Sequence, residues 1–231
     1  MRILTYVPLN PTQPRLHPLT AATIESLDWP TMPIVYGRND TPNRMGKFYD
    51  LCDKHNQSRA MVLQGGYDAL FLVEADMVLP PDALRKLAAL DVPVAYGLYV
   101  SRGAPHEWLA LTSLTPTEHE FVSTDQDYAR RWFGDGTQAI ETQGVGMGCT
   151  LIKREVLGEL AFHLDRFGAN ADDWAFSLDC IAYGIPQFTH TGVICGHIAG
   201  DVVLWPDVTA KGLVRKENTG FHTFHRSEGC S

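Results

Sequence analysis

The sequence has little positive charge and no long hydrophobic run. Its 231 residues include 19 Lys and Arg against 27 Asp and Glu, which gives a formal net charge of −8. Because nucleic-acid backbones bind basic surfaces, this balance argues against a nucleic-acid partner. Since no stretch approaches about 18 consecutive apolar residues, a membrane-spanning helix is excluded as well.

Paired cysteine motifs are also missing. The five cysteines are scattered and odd in number, and none forms a C-x-x-C pair. This pattern disfavours both a disulfide framework and a structural zinc site. The first residues, MRILTYVPLN, are too short an apolar stretch for a signal peptide and are interrupted by Pro8. We therefore expect a cytoplasmic protein with reduced thiols.

Strand-like and helix-like segments alternate along the chain. Residues 3–7 and 69–73 are short apolar runs typical of strands, and residues 43–64 carry apolar side chains near the helical period. Alternation of this kind predicts an α/β sandwich with a mostly parallel central sheet.

Two acidic residues, Glu74 and Asp76, directly follow the apolar run at 69–73. Ligands of open parallel sheets bind beyond the carboxyl ends of the strands, so these acids are placed for a site. Carboxylates two positions apart can share a hard divalent cation, which would let an acidic protein hold an anionic diphosphate. The alternative is a solvated turn with two acids ahead of a helix.

The segment around these acids carries a family resemblance. Residues 67–90, YDALFLVEADMVLPPDALRKLAAL, resemble the D-x-x-L-x-x-D-x-D segment of GT-A glycosyltransferases, especially the family-two-like group. The resemblance implies a Rossmann-like α/β/α fold, a nucleotide-diphosphate sugar as donor, and Mn²⁺ or Mg²⁺ as cofactor. Asp76 matches the acid that ligates the metal directly. Glu74 stands in place of the first Asp of the motif. The resemblance implies that Glu74 contacts either the metal, directly or through a water molecule, or the ribose of the donor.

Nucleoside and sugar contacts are implied by three further segments. Pro8 follows the first strand, where the base pocket of the family begins. GRNDTPN at 37–43 resembles the S-x-D-x-T turn that meets the nucleoside, which assigns Asp40 to donor binding. TQGVGMGCTLIKREVL at 142–157 resembles the glycine-rich strand and helix beside the donor sugar and acceptor.

A base and a third metal ligand are implied by the last two matches. ADDWAFSLDCIAYG at 171–184 resembles the E-D-x-x-F/L helix start, whose second acid, here Asp173, is the general base of inverting members. VICGHI at 193–198 places His197 where many members supply a third metal ligand. The residues alone also fit other roles: Asp172 and Asp173 could form an N-cap pair at the start of the helix, and His197 could be a structural histidine. Trp132, Trp174 and Trp205 fit either an acceptor groove or ordinary packing.

The resemblance implies inverting transfer of a sugar to an acceptor hydroxyl. The acceptor stays open among glycans, proteins, small molecules and modified nucleobases. A competing hypothesis is a nucleotidyltransferase that makes nucleotide sugars, but such enzymes carry a glycine-rich first loop and VPLNPTQPRLHP at 7–18 has no glycine. A further alternative is a non-catalytic nucleotide- or carbohydrate-binding module on the same fold.

The resemblance spans roughly residues 2–200, so we expect one GT-A domain over 1–206 and a polar C-terminal tail over 207–231. The basic residues of the tail suit either a flap over the donor site or a solvated end. A second metal site at His222 and His225 is disfavoured, since two histidines without further ligands bind metal weakly.

Overall fold

Thirteen strands and five helices make up the described part of the chain. The computed structural model describes residues 1–9, 16–29, 34–37, 46–121, 138–164, 171–207 and 214–220. The helices are α1 (Pro18–Glu25), α2 (Lys47–Gly65), α3 (Ala83–Ala89), α4 (Arg154–Glu159) and α5 (Asp172–Ala182). The strands are β1 (Ile3–Pro8), β2 (Ile34–Gly37), β3 (Ala69–Val73), β4 (Met77–Val78), β5 (Val94–Leu98), β6 (Leu111–Leu114), β7 (His119–Phe121), β8 (Ala139–Thr142), β9 (Cys149–Lys153), β10 (Gln187–Ile194), β11 (Gly196–Ala199), β12 (Val202–Pro206) and β13 (Val214–Asn218).

Seven strands form the central sheet in the order β2-β1-β3-β9-β5-β10-β8. β1 is parallel to β2 and β3, β10 is parallel to β5, and β9 runs antiparallel between β3 and β5. Five of the seven strands therefore point the same way, while β9 and β8 are reversed. The predicted mostly parallel sheet of a Rossmann-like α/β fold is confirmed.

The sheet is built from the apolar runs of the sequence. All residues of β1 and β3 are buried, as expected for strands that are covered on both faces. The helix α2 packs on β1 and β3, while α3 packs on β5 and β10. As a result, the carboxyl ends of β1, β3, β5 and β10 meet at one edge of the sheet.

A second, antiparallel sheet of four strands, β13-β12-β11-β4, lies against that edge. The chain passes from the large sheet to the small one at Cys195, whose N–H donates to the Leu98 carbonyl at 2.8 Å. Gly196 then opens β11 under the side chain of Val203, whose Cγ1 would be 2.4 Å from any added Cβ. The segment VICGHI at 193–198 therefore divides between the two sheets.

The C-terminal region contributes to this small sheet. Residues 214–218 form β13 and pair with β12, so part of the predicted tail belongs to the folded body. The chain beyond residue 220 lies outside the described residues, and with it His222 and His225. Within the described part of the chain, no helix combines the length and the apolar character needed to cross a membrane.

Candidate functional site

The acids Glu74 and Asp76 lie immediately beyond the carboxyl end of β3. The Met77 N–H donates to the Glu74 carbonyl at 3.3 Å, so the chain turns sharply between β3 and β4. β4 then pairs with β11, with His197 opposite Met77. This register brings His197 beside two acids that are more than a hundred positions earlier in the sequence.

The imidazole of His197 is buried and held in one orientation. Its Nδ1 lies 2.8 Å from the carbonyl oxygen of Val100 and must donate to it. Its Nε2 has no hydrogen-bond partner among the described residues and presents a lone pair when the ring is neutral. Burial by itself would lower the pKa of His197, but the neighbouring Asp76 and Glu74 outweigh it and raise that pKa. The nearest carboxylate oxygen, Asp76 Oδ2, is 3.6 Å away, too far for a hydrogen bond.

Together Glu74, Asp76 and His197 form a group suited to a metal ion. One ligand atom from each residue lies within 4.8 Å of the others. Carboxylate oxygens suit Mn²⁺ and Mg²⁺, and imidazole nitrogens suit Mn²⁺ and other transition metals. A ligating histidine usually donates its second ring N–H to a carbonyl, as His197 does toward Val100. The buried Nε2 faces Asp76 at 3.6 Å but has no hydrogen-bond partner in the described part of the chain, and this observation favours a cation here over a structural role for His197.

The pKa values of the two acids, Glu74 and Asp76, are shifted in opposite directions. Burial and the neighbouring Asp76 raise the pKa of Glu74 to about 7. Burial by itself would also raise the pKa of Asp76, but His197 and Arg102 outweigh it and hold that pKa below its usual range. Such perturbed carboxyl groups are typical of sites that bind a ligand or carry out chemistry.

Arg102 is a member of the site that the sequence reasoning missed. It lies shortly after β5, and its Nη1 contacts Asp76 Oδ2 at 2.7 Å. The rule that singled out Glu74, that ligands lie beyond the carboxyl ends of strands, applies equally to β5. Extended to that strand, it would have pointed to residues 100–102.

Asp173 stands at the start of α5 and approaches the same edge of the sheet. Its Oδ1 accepts a hydrogen bond from the Trp174 N–H at 2.7 Å. Its Oδ2 is near Gly146, since a Cβ added there would be 3.5 Å from this oxygen. Burial and the charge of Asp172 raise the pKa of Asp173 to about 6.

Tyr99 is buried near the acids of the site. Its hydroxyl oxygen accepts from the Gly148 N–H at 2.9 Å. Burial raises the pKa of Tyr99 well above its usual value, and the charges of Glu74 and Asp173 add to the effect. Tyr99 therefore stays neutral, and its neighbours Glu74 and Asp173 border one polar region beside the glycine-rich segment.

Asp172 turns away from the site. Its Oδ2 is 2.6 Å from Nδ1 of His55 on α2, and both side chains are buried. The N-cap of α5 is Ala171, without a side-chain hydrogen bond, so the N-cap hypothesis for the two acids is not supported. Asp172 instead ties α5 to α2, and the buried His55 was not identified from the sequence.

Of the remaining residues predicted to bind the donor, Pro8 belongs to the described part of the chain. Pro8 is buried at the end of β1, at the same edge of the sheet. Nearby, the buried Nζ of Lys54 donates to the carbonyl of Leu9 at 2.6 Å and contacts Asp50. Asp40 and Trp132 lie outside the described residues.

Trp174 and Trp205, the two other tryptophans considered for an acceptor groove, make ring contacts. Trp174 meets His119 edge to face with ring centroids 4.7 Å apart, and the Arg215 guanidinium lies 5.6 Å from the centre of the Trp205 ring. Trp174 is next to Asp173 in α5, whereas Trp205 belongs to the small sheet.

Comparison with known proteins supports the fold. No protein-family model and no curated protein matches the sequence. Among solved structures, the chain is similar to "A197 from STIV", with 21% identity, a TM-score of 0.58, and coverage of 94% of this chain and 95% of that one. An apo UDP-glucose pyrophosphorylase is 9% identical with a TM-score of 0.46, covering 82% of this chain and 90% of that one. At these identities, the first likeness indicates a shared fold over nearly the whole chain, and the second carries no functional argument.

Proposed function

We propose that the protein is a metal-dependent GT-A glycosyltransferase that transfers a sugar from a nucleotide-diphosphate donor to an acceptor hydroxyl. One observation carries the proposal: Glu74, Asp76 and the buried Nε2 of His197, which has no hydrogen-bond partner among the described residues, converge beyond the carboxyl end of β3. The same three residues were singled out by the resemblance of the sequence to this family. Asp173 borders the region from the other side.

Asp76, His197 and Glu74 are the residues that would hold Mn²⁺ or Mg²⁺. A divalent cation there would supply charge neutralisation to a departing nucleoside diphosphate. Asp76 is best suited to direct ligation because its pKa is low, so its carboxylate is available. Glu74, with its pKa raised to about 7, is partly protonated near neutral pH, and a cation would have to displace that proton.

Asp173 is the proposed general base. The acceptor oxygen forms a bond to the anomeric carbon while the bond from that carbon to the diphosphate oxygen breaks. Asp173 takes the hydroxyl proton, and the electron pair of the broken bond leaves with the diphosphate. A base works best when its pKa lies near the working pH, and the raised pKa of about 6 is closer to neutrality than that of an ordinary Asp. Attack from the side opposite the diphosphate inverts the anomeric centre.

Donor binding is the first property to test. We would measure thermal unfolding of the wild type and of Asp76→Asn with a panel of nucleoside diphosphates and nucleotide sugars, with and without Mn²⁺. A ligand at 100 times its Kd stabilises the folded state by about 2.7 kcal/mol, so one diphosphate should raise the Tm clearly when Mn²⁺ is present. Asp76→Asn should lose most of this shift, because it removes a charged ligand.

The matched control is Asp91→Asn. Asp91 pairs with Lys153 on the surface and is 87% exposed, and its φ of 52° is one that Asn adopts readily. This variant should keep the Mn²⁺-dependent shift. If no nucleotide gives a shift that needs Mn²⁺, the proposed function is wrong.

A further inference from the structure

The segment Val100–Arg102 contacts two of the three proposed metal ligands. The Val100 carbonyl orients His197, and two residues later the guanidinium of Arg102 contacts Asp76 Oδ2 at 2.7 Å. That same oxygen faces Nε2 of His197 at 3.6 Å. The positively charged guanidinium of Arg102 is therefore paired with the same carboxylate that would ligate a metal ion.

The backbone of this segment is held by hydrogen bonds, whereas the side chain of Arg102 is exposed. The Ser101 N–H donates to the Glu107 carbonyl at 2.8 Å, and its hydroxyl donates to the Gly103 carbonyl at 2.9 Å. The side chain of Arg102 is 59% exposed, and Asp76 is its one ion-pair partner among the described residues. Displaced from Asp76, the guanidinium would stay within a side-chain length of the site.

We propose that Arg102 is a diphosphate-binding residue, which neutralises Asp76 until a metal ion takes over that carboxylate. This inference rests on the proposed function and assigns a role to a residue that the family resemblance does not mark. A metal ion and a guanidinium on one carboxylate repel each other, so metal binding weakens the contact between Arg102 and Asp76. The released guanidinium presents paired N–H donors that match phosphate oxygens.

The chemistry predicts opposite effects on two ligands. Without Arg102, Mn²⁺ has no competitor for Asp76 and binds more tightly. Without Arg102, a diphosphate on the metal-loaded protein loses a charged hydrogen-bond donor and binds more weakly. A residue that only supported the loop would weaken both when removed.

The test is calorimetric titration of Mn²⁺, followed by titration of inorganic pyrophosphate into Mn²⁺-saturated protein. Pyrophosphate is chosen because it does not depend on the base or sugar of the donor. Arg102→Gln should bind Mn²⁺ about two- to fivefold more tightly, in line with an exposed ion pair. It should bind pyrophosphate roughly tenfold more weakly, as for loss of a hydrogen bond to a charged group. Arg102→Lys, which keeps the charge without the paired donors, should fall between wild type and Arg102→Gln with pyrophosphate.

The matched control is Arg85→Gln, which removes an arginine of similar exposure that pairs with Asp28 and Asp82. It should bind both ligands like the wild type. Unchanged pyrophosphate binding by Arg102→Gln overturns the phosphate role, and weaker or unchanged Mn²⁺ binding overturns the competition for Asp76. If the wild type itself binds no Mn²⁺, the proposed function fails together with this inference. Mn²⁺ binding by the wild type with no effect of Arg102→Gln removes only the inference.

Discussion

Asp172 and Asp173 are neighbours in the chain with very different surroundings. Successive residues of a helix point about 100° apart, so α5 can direct Asp172 into the protein and Asp173 toward the site. The buried contact of Asp172 with His55 anchors the helix on α2. Asp173 is thereby held at the edge of the sheet, with one oxygen accepting from the Trp174 N–H and the other near Gly146.

The position of Asp173 predicts a pH dependence. As a general base it must be ionised, so protonation removes activity as the pH falls through the pKa of about 6. The initial rate of sugar transfer should be level above this pH and fall about tenfold per pH unit below it. The measurement is kcat/KM against pH at saturating Mn²⁺. A rate that stays level well below pH 6 would exclude Asp173 as the base.

At the scale of the element, the glycine-rich segment 144–148 shapes the site by close packing. A Cβ at Gly146 would lie 2.2 Å from the hydroxyl oxygen of Tyr99 and 3.2 Å from its ring carbon Cζ. The segment therefore needs glycine at position 146 because Tyr99 fills the space there.

This packing predicts the behaviour of a pair of variants. Gly146→Ala should lower the free energy of unfolding by about 1–3 kcal/mol, because its methyl group overlaps the Tyr99 hydroxyl. Tyr99→Phe removes that oxygen, so the double variant should recover part of the loss. The check is a double-mutant cycle by urea unfolding. Strictly additive effects of the two substitutions would show that the methyl group and the hydroxyl do not meet.

Elements differ in how well the sequence predicts them. The strand at 69–73 was predicted with its bounds because β3 is uniformly apolar and buried. The polar strand VRKEN of β13 was assigned to the tail, since its residues are mostly exposed and show no alternation. The change of sheet at Cys195 depends on hydrogen bonds to β4 and β5, and no local pattern marks such distant partners.

At the scale of the whole molecule, the site is assembled by topology. Glu74 and Asp76 follow β3, Arg102 follows β5, and His197 lies in β11. The pairing of β11 with β4 fixes the position of His197 beside the two acids. The fold class could be predicted from the alternation of segments. The acids were predicted from their place after a strand, and His197 from motif order. Arg102 was missed because the same strand-end rule was not extended to β5. Tyr99 and His55 could not be predicted, because their roles arise from contacts between separate elements.

Part of the net charge of −8 is concentrated at the candidate site in the folded chain. Glu74, Asp76 and Asp173 lie near enough for the charges of Asp76 and Asp173 to raise the pKa of Glu74. Arg102 offsets only part of this concentration of acid. A divalent cation would relieve the remaining repulsion, which links the acidity of the sequence to the proposed metal site.

The most direct test of sugar transfer is the release of nucleoside diphosphate from a panel of nucleotide sugars in the presence of Mn²⁺. Water can serve as the acceptor hydroxyl, so the assay does not require the natural acceptor. We predict that nucleoside diphosphate is released from one donor and that this release requires Mn²⁺. The rate of release should fall at least about 100-fold in Asp173→Asn, while this variant still binds the diphosphate with Mn²⁺. Equal release by wild type and Asp173→Asn, or no release from any donor, would contradict the account. Pyrophosphate formation from a nucleoside triphosphate and a sugar phosphate would instead identify a nucleotidyltransferase.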